Sequence, residues 1–119
     1  MSSGFRKERV REMLQGFISD LFLRMRDPRL SGIQVSAVEV TGDLRHANVF
    51  WSFLVLDGVE AEKLKPEVEQ ALQGLKGFIR KRIAEELDLR YVPDIHFDYD
   101  NSAVTGAYMD RLLDKVAKS

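Results

Sequence analysis

The sequence predicts an α+β domain in which helices cover a three-stranded mixed sheet. Apolar residues recur at helical spacing in some stretches and alternate in others. The helical stretches are residues 5–26, 60–73 with a continuation to about 89, and 103–117, and the alternating stretches are 33–40, 46–56 and 94–99. A short link makes the first two strands antiparallel, whereas a long helical crossover favours a parallel third strand. At 119 residues the chain is predicted to be one domain, 1–119, with flexible termini at 1–5 and 117–119.

Composition excludes several classes of protein. The formal net charge is −1, and the chain contains no cysteine. The missing thiols exclude a disulfide scaffold, a thiolate metal site and thiol catalysis, and they fit a reducing cytoplasm. No apolar run approaches the ~20 residues of a membrane-spanning helix, and residues 1–4 introduce no secretion signal. We therefore expect a cytoplasmic protein that does not enter a membrane.

The first helix is predicted over residues 5–26 and ends at Asp27-Pro28, because the residue before proline is pushed out of the helical region. Its apolar stripe consists of Val10, Leu14, Phe17 or Ile18, Leu21 and Met25. Its first turns carry Arg6, Lys7, Arg9 and Arg11. Cations are unfavourable near a helix N-terminus, where the macrodipole is positive. Their placement there favours a role in binding a partner.

A β-hairpin is predicted next. In the first strand, residues 33–40, the alternation slips near Ala37-Val38, which predicts a bulge. Residues 41–45 have the composition of a turn. The second strand, 46–56, has two faces. One carries Ala47, Val49, Trp51, Phe53 and Val55, and the other carries Asn48, Phe50, Ser52 and Leu54.

A glycine pair interrupts the following helical stretch. Residues 60–73 predict a helix in which Pro66 either lies in the first turn or marks a late start. Gly74 and Gly77 separate it from a second helix that ends near Leu89. Each glycine in a helix interior costs ~1 kcal/mol relative to alanine, so we predict a kink. A basic cluster follows, in which Lys76, Arg80 and Lys81 either contact phosphates or are simply solvated. Arg82 falls near the buried stripe, where we expect it to be half-buried or paired with a carboxylate.

The last elements are a third strand over 94–99 and a helix over 103–117. The full order, α-β-β-α-kink-α-β plus a C-terminal helix, resembles a type II KH domain. KH domains clamp single-stranded nucleic acid on a GxxG loop. Gly74-Leu75-Lys76-Gly77 fits that pattern literally.

Four longer motifs resemble the ribosome-binding factor A family, in the order and spacing of that family. They are RDPRL at 26–30, DLRHANV at 43–49, GFIR at 77–80 and LRYVPDIHFDYDNS at 89–102. The similarity runs from about Arg6 to Leu113. In this family an Ala-x-Gly kink between helices replaces the GxxG loop, and Leu75-Lys76-Gly77 occupies its place here. Gly74 and Leu75 depart from the family pattern, so a preserved kink and a looser GxxG loop both remain open.

The resemblance implies a KH-like assembly factor for the bacterial small ribosomal subunit. Such a factor binds immature subunits, contacts their rRNA and assists late maturation, notably in the cold. It implies a monomer without a cofactor, a metal or catalytic residues. The RNA-binding residues expected from the charge pattern, the glycines and the predicted loops are Arg6, Lys7, Arg9, Arg11, Arg45, Gly74, Lys76, Gly77, Arg80, Lys81 and Arg90. Arg24, Arg26 and Arg29 flank Asp27, and we interpret this trio as structural.

Two other functions are compatible with parts of the sequence. Phe50 and Leu54 would form an apolar patch on an open sheet face, which would suit a protein-interaction module. Asp94, Asp98 and Asp100 cluster as the carboxylates of a hydrolase or metal protein would. Residues 98–103 fail as a calcium loop, because the required glycine and the closing glutamate are missing. We therefore expect no enzymatic activity and no metal site.

Overall fold

Two helices pack against one three-stranded sheet in the computed structural model, which describes residues 3–55 and 58–100. The elements are α1 (Ser3–Arg24), β1 (Ile33–Val40), β2 (His46–Phe53), α2 (Gly58–Glu86) and β3 (Asp94–Tyr99). This arrangement confirms the α+β class. The predicted C-terminal helix, 103–117, and the predicted terminus 117–119 lie outside the described residues. No helix within the described ranges is long and apolar enough to cross a membrane.

The sheet is mixed, as predicted. Its strand order is β1-β2-β3, with β1 and β2 antiparallel and β2 and β3 parallel. The β1–β2 pairing shifts between Val35 and Ala37, which confirms a bulge and places it at Ser36, slightly earlier than expected. The Ser36 hydroxyl donates a hydrogen bond of 2.6 Å to Asp100. The bulge residue thereby ties β1 to the end of β3.

One face of the sheet carries the core. Four of the residues predicted on one face of β2 are buried, namely Ala47, Val49, Trp51 and Phe53, whereas Val55 is exposed beyond the end of the strand. The strand ends at Phe53 rather than at residue 56. Trp51 has no exposed surface, and its ring contacts Phe53 and Tyr99 edge-on at centroid distances of 5.3 and 4.9 Å. The helices contribute further side chains without exposed surface: Leu14, Ile18, Leu72, Ile79 and Ile83.

Helix α2 is continuous through the glycine pair. We predicted one helix over 60–73 and a second to about Leu89, but the structure has a single helix of 29 residues. The predicted boundary between two helices is therefore wrong, and so is the alternative of a literal GxxG loop. A bend of the helix axis at Gly77 stays a prediction. Buried side chains continue in phase on both sides of the glycines. Their burial is worth roughly 1.5–3 kcal/mol per large side chain, which exceeds the helix penalty of ~1 kcal/mol per glycine.

Pro66 lies in the interior of α2 and not in its first turn, which corrects a second prediction. A proline there removes one backbone hydrogen bond and costs ~3 kcal/mol. Ala61 and Val68, on either side of it, are both buried against the core. This packing holds the helix together across the proline.

Candidate nucleic-acid interface

Two connecting segments meet at one edge of the sheet. Because β2 and β3 are parallel, their first residues, His46 and Asp94, pair side by side. The segments that lead into them, 41–45 and 87–93, therefore reach the same edge. The backbone N–H of Asp94 donates to the carbonyl of Arg45 over 2.8 Å. This places Arg45 beside a segment far away in sequence.

The turn over residues 41–45 is held by short hydrogen bonds. The Thr41 hydroxyl donates to Asp43 at 2.6 Å, and the backbone N–H of Arg45 donates to the same carboxylate at 3.1 Å. These two bonds lower the pKa of Asp43, the Thr41 hydroxyl contributing most. Leu44 closes the turn with φ of 63°, a conformation that costs a non-glycine residue ~1–3 kcal/mol. The turn thus fixes the position from which Arg45 extends into solvent.

The segment 87–93 displays an arginine and an aromatic ring. Leu89 and Val92 are half-buried against the core, and Pro93 is fully buried. Between these anchors Arg90 is exposed and Tyr91 is 60% exposed. The guanidinium carbon of Arg90 lies 5.5 Å from the centroid of the Tyr91 ring, within range of a cation–π interaction. The loop therefore presents Arg90 and Tyr91 as one unit.

Two clefts share Tyr91 as a wall. The lining of the first is Arg6, Val10, Asp43, Leu44, Leu89, Arg90 and Tyr91. The lining of the second is Arg45, Arg80, Tyr91, Val92 and Asp94. We call Arg6, Arg45, Arg80, Arg90 and Tyr91 the arginine–tyrosine face. The structure thus brings together four of the cations predicted from the sequence, each from a different part of the chain.

Helix α2 extends this face. A guanidinium nitrogen of Arg80 lies 3.4 Å from the carbonyl oxygen of Val92 and 3.6 Å from the Asp94 carboxylate. Lys76 lies one helical turn before Arg80 on the same flank, where it is half-buried. Gly77, three residues before Arg80 and about 60° around the helix from it, is exposed, and a Cβ added there would meet no atom within 4 Å. The backbone of α2 is therefore open at Gly77, one turn before Arg80 of the second cleft.

The remaining predicted residues lie elsewhere. On α1, Arg11 pairs with Glu8 at 2.9 Å and Glu12 at 3.7 Å. Lys7 is half-buried along the core stripe, and Arg9 is exposed on the outer side of the helix. Of these four residues, Arg6 lines the first cleft.

Gly74 and Lys81 occupy the outer surface of α2. Lys81 lies about 100° around the helix from Arg80, and Gly74 is a similar angle away on the same side. Both are exposed. They are therefore separated from the two clefts, although they belong to the same helix.

Three other arginines form ion pairs with carboxylates that are close in sequence. Arg29 forms an ion pair of 2.9 Å with Asp27, and hydrogen bonds from its side chain and then its backbone lower the Asp27 pKa. Arg24 pairs with Asp20 at 2.9 Å. Arg82 is half-buried and pairs with Glu86.

The residues of the two other hypotheses do not assemble as expected. Leu54 lies beyond the end of β2 in a groove with Leu23 and Met25, whereas Phe50 is half-buried and pairs with Asp98 across β2 and β3. Leu54 and Phe50 therefore do not form one patch on the sheet face. Within the described residues, no group of three or more histidines and carboxylates is placed to hold a metal ion.

Sequence reasoning missed two features at this edge. Tyr91 was not singled out, although an arginine–tyrosine pair directly before Val92-Pro93 and a strand indicates a displayed loop. The second feature is a histidine pair: Nδ1 of His46 lies 3.2 Å from Nε2 of His96. Parallel pairing of β2 and β3 causes this contact, and short-range sequence patterns do not specify it.

Comparison with known proteins agrees with the motifs. The sequence profile of ribosome-binding factor A matches residues 6–113. The chain belongs to the ribosome-binding factor A family. A ribosome-binding factor A from Halothermothrix orenii is 43% identical over 112 residues, covering 93% of this chain and 88% of that protein. One from Acetivibrio thermocellus is 42% identical over 117 residues, covering 94% and 89%.

Solved structures of the ribosome-binding factor A family share the fold. The solution structure of a Thermotoga maritima relative has a TM-score of 0.64 and 34% identity, covering 82% of this chain and 90% of that one. A Thermus thermophilus ribosome-binding factor A, fitted as a homology model into a cryo-EM map of a 30S complex, has a TM-score of 0.61. The alignment covers 79% of this chain and 94% of the Thermus thermophilus chain at 17% identity, so this likeness shows the fold alone.

Proposed function

We propose that this protein binds immature small ribosomal subunits, contacts their rRNA through the arginine–tyrosine face and assists late maturation. The observation that carries the proposal is the convergence of four arginines at two adjoining clefts in a chain with a net charge of −1. A basic face on a near-neutral protein concentrates positive potential at one place. The relatives from Halothermothrix orenii and Acetivibrio thermocellus, named ribosome-binding factor A and 43% and 42% identical, support the ribosome as the partner.

The chemistry of the face suits phosphate groups. Guanidinium groups present several N–H donors in a plane and bind phosphate oxygens in pairs. Contacts of this kind fix the position of a protein on RNA without reading its sequence. Each neutralised phosphate adds ~0.7–0.9 to the slope of log affinity against log salt. Four contacts therefore predict binding that weakens steeply between low and moderate salt.

Two carboxylates lie beside the arginines of the face. Asp43 lines the first cleft and Asp94 the second. Asp94 is about half exposed and pairs with Arg80 at 3.6 Å. Exposed ion pairs of this kind contribute little to stability, so a phosphate can replace Asp94 as the partner of Arg80 at small cost. Asp94 thereby competes with an RNA phosphate for Arg80.

The family resemblance also supports a proposal about where and when the protein acts. We propose that the protein acts in the cytoplasm as a monomer, without catalytic activity, and that cells depend on it most in the cold. Growth and subunit profiles of a deletion strain at low and optimal temperature test the last point. Equal accumulation of immature subunits at both temperatures would contradict it.

Sedimentation of cell lysates tests the proposed function. The protein is expected to migrate with free small subunits at low salt and to leave them as salt is raised. A variant with Arg45→Glu, Arg80→Glu and Arg90→Glu should remain at the top of the gradient.

The matched control reverses three exposed cations away from the face, with Arg24→Glu, Arg26→Glu and Lys63→Glu. This variant carries the same change in net charge and should still sediment with the subunits. Unchanged sedimentation of the face variant, or migration of the wild-type protein at the top of a low-salt gradient, would refute the proposal.

A further inference from the structure

Tyr91 is an exposed aromatic ring at the centre of a cationic surface. Its side chain is 60% exposed although it forms a wall of both clefts. An exposed ring contributes little to folding. Its position is explained only in part by the Arg90 guanidinium, which lies 5.5 Å from the ring centroid.

The surroundings of the ring select one class of contact. Arg6 and Arg90 lie on the first cleft, and Arg45 and Arg80 on the second. A strand of RNA that crosses from one cleft to the other would pass over Tyr91 with its phosphates beside arginines. Aromatic side chains flanked by cations bind single-stranded nucleic acid by stacking on successive bases.

An RNA duplex cannot use this ring in the same way. In an A-form helix the bases stack on one another, and the accessible surface consists of phosphates, 2′-hydroxyls and groove edges. The arginines can still contact a duplex, because phosphates are present in both forms of RNA. Only an unpaired base can place its flat surface on Tyr91.

We propose that Tyr91 stacks on an unpaired rRNA base while Arg6, Arg45, Arg80 and Arg90 hold the flanking phosphates. The face therefore prefers a single-stranded or bulged segment to a duplex. This inference rests on the proposed function and adds to it the form of RNA that the face recognises.

Phe78 provides a matched control for the ring. Its side chain is 44% exposed, and it lies about 160° around α2 from Arg80. It is thus an exposed aromatic residue on the same domain but away from both clefts. Tyr91→Phe is the conservative variant, because it keeps the ring and removes only the hydroxyl.

The test measures binding of purified full-length protein to a fluorescein-labelled single-stranded 12-nucleotide RNA and to its duplex, across a salt series. Tyr91→Ala should weaken binding to the single strand about 5- to 100-fold and leave the salt slope and duplex binding unchanged. Tyr91→Phe and Phe78→Ala should bind as the wild-type protein does. Arg45→Gln should instead reduce the salt slope and weaken binding to both RNAs.

The outcomes separate the inference from the function on which it rests. Wild-type affinity of Tyr91→Ala for the single strand would overturn the stacking proposal while subunit binding stands. Equal weakening on both RNAs would overturn it too, because the ring would then act only by positioning Arg90. Absence of the wild-type protein from the small-subunit fractions would instead overturn the proposed function. The melting temperature of Tyr91→Ala serves as the control for folding. It should equal that of the wild-type protein.

Discussion

Replacing Gly77 with alanine should stabilise the free protein and weaken its binding to the small subunit. Gly77 lies inside α2, its φ is not positive, and an added Cβ would meet no atom within 4 Å. Alanine is therefore accommodated without strain and gains ~1 kcal/mol of helix propensity and chain entropy. For a domain of this size that gain raises the melting temperature by about 4 °C.

The reason for a loss of binding is the position of Gly77 beside Arg80. A methyl group there covers backbone that is now open to a partner. Gly74→Ala is the matched control, since Gly74 is also exposed and unobstructed but lies on the outer surface of α2. Both variants should melt at higher temperature than the wild-type protein, and only Gly77→Ala should bind small subunits more weakly.

Differential scanning calorimetry and a subunit pelleting assay check the two halves of this prediction. A lower melting temperature for Gly77→Ala would show that the folded backbone requires glycine at this point, as a bend of the helix axis would. Wild-type subunit affinity of both variants would show that RNA does not approach the backbone of α2. Either result would refute the reasoning.

Three further predictions concern single groups. Asp94→Asn should strengthen RNA binding about two- to fivefold at low salt, because it removes a negative charge near the phosphates and frees Arg80. Fluorescence anisotropy measures this affinity, and weaker binding would contradict the prediction. Tyr99→Phe should stabilise the protein by up to ~1 kcal/mol, because the buried Tyr99 hydroxyl has no hydrogen-bond partner among the described groups. Urea unfolding measures this change, and a loss of stability would contradict the prediction. Asp27 and Asp43 have folded-state pKa values below the ordinary ~3.9. Their carboxylates therefore stabilise the folded protein above that pH. This stabilisation is lost as the pH falls through the lowered pKa values. Replacing both with asparagine should therefore lower the urea midpoint at pH 6 and have a much smaller effect near pH 2; equal effects at both would contradict it.

Much of the fold could be predicted because its signals are local. The alternation in β2 identified the buried face that carries Trp51, and the slip in β1 indicated a bulge close to Ser36. The boundaries within α2 could not be predicted in the same way. Local helix propensity disfavours Pro66 and both glycines, but burial of side chains such as Leu72 and Ile79 outweighs it, and burial depends on the assembled sheet.

The site was predictable as a set of cations but not as a surface. The charge pattern identified Arg45, Arg80 and Arg90. It ranked Arg11 equally with them, although Arg11 is paired with Glu8, one turn earlier, and with the adjacent Glu12. What assembles the face is the parallel pairing of β2 and β3, which brings residues 41–45 against 87–93. That contact joins segments far apart in sequence. The role that we infer for Tyr91 depends on it.

Ultraviolet crosslinking of the protein to purified immature small subunits, followed by mass spectrometry, tests most directly whether the arginine–tyrosine face contacts rRNA. Crosslinked nucleotides are expected on peptides that contain Arg45, Arg80 and Tyr91. Peptides that contain the locally paired Arg24 and Arg29 should carry none. Crosslinks confined to residues 24–29, or to the outer surface of α2 around Lys81, would contradict the assignment of this face.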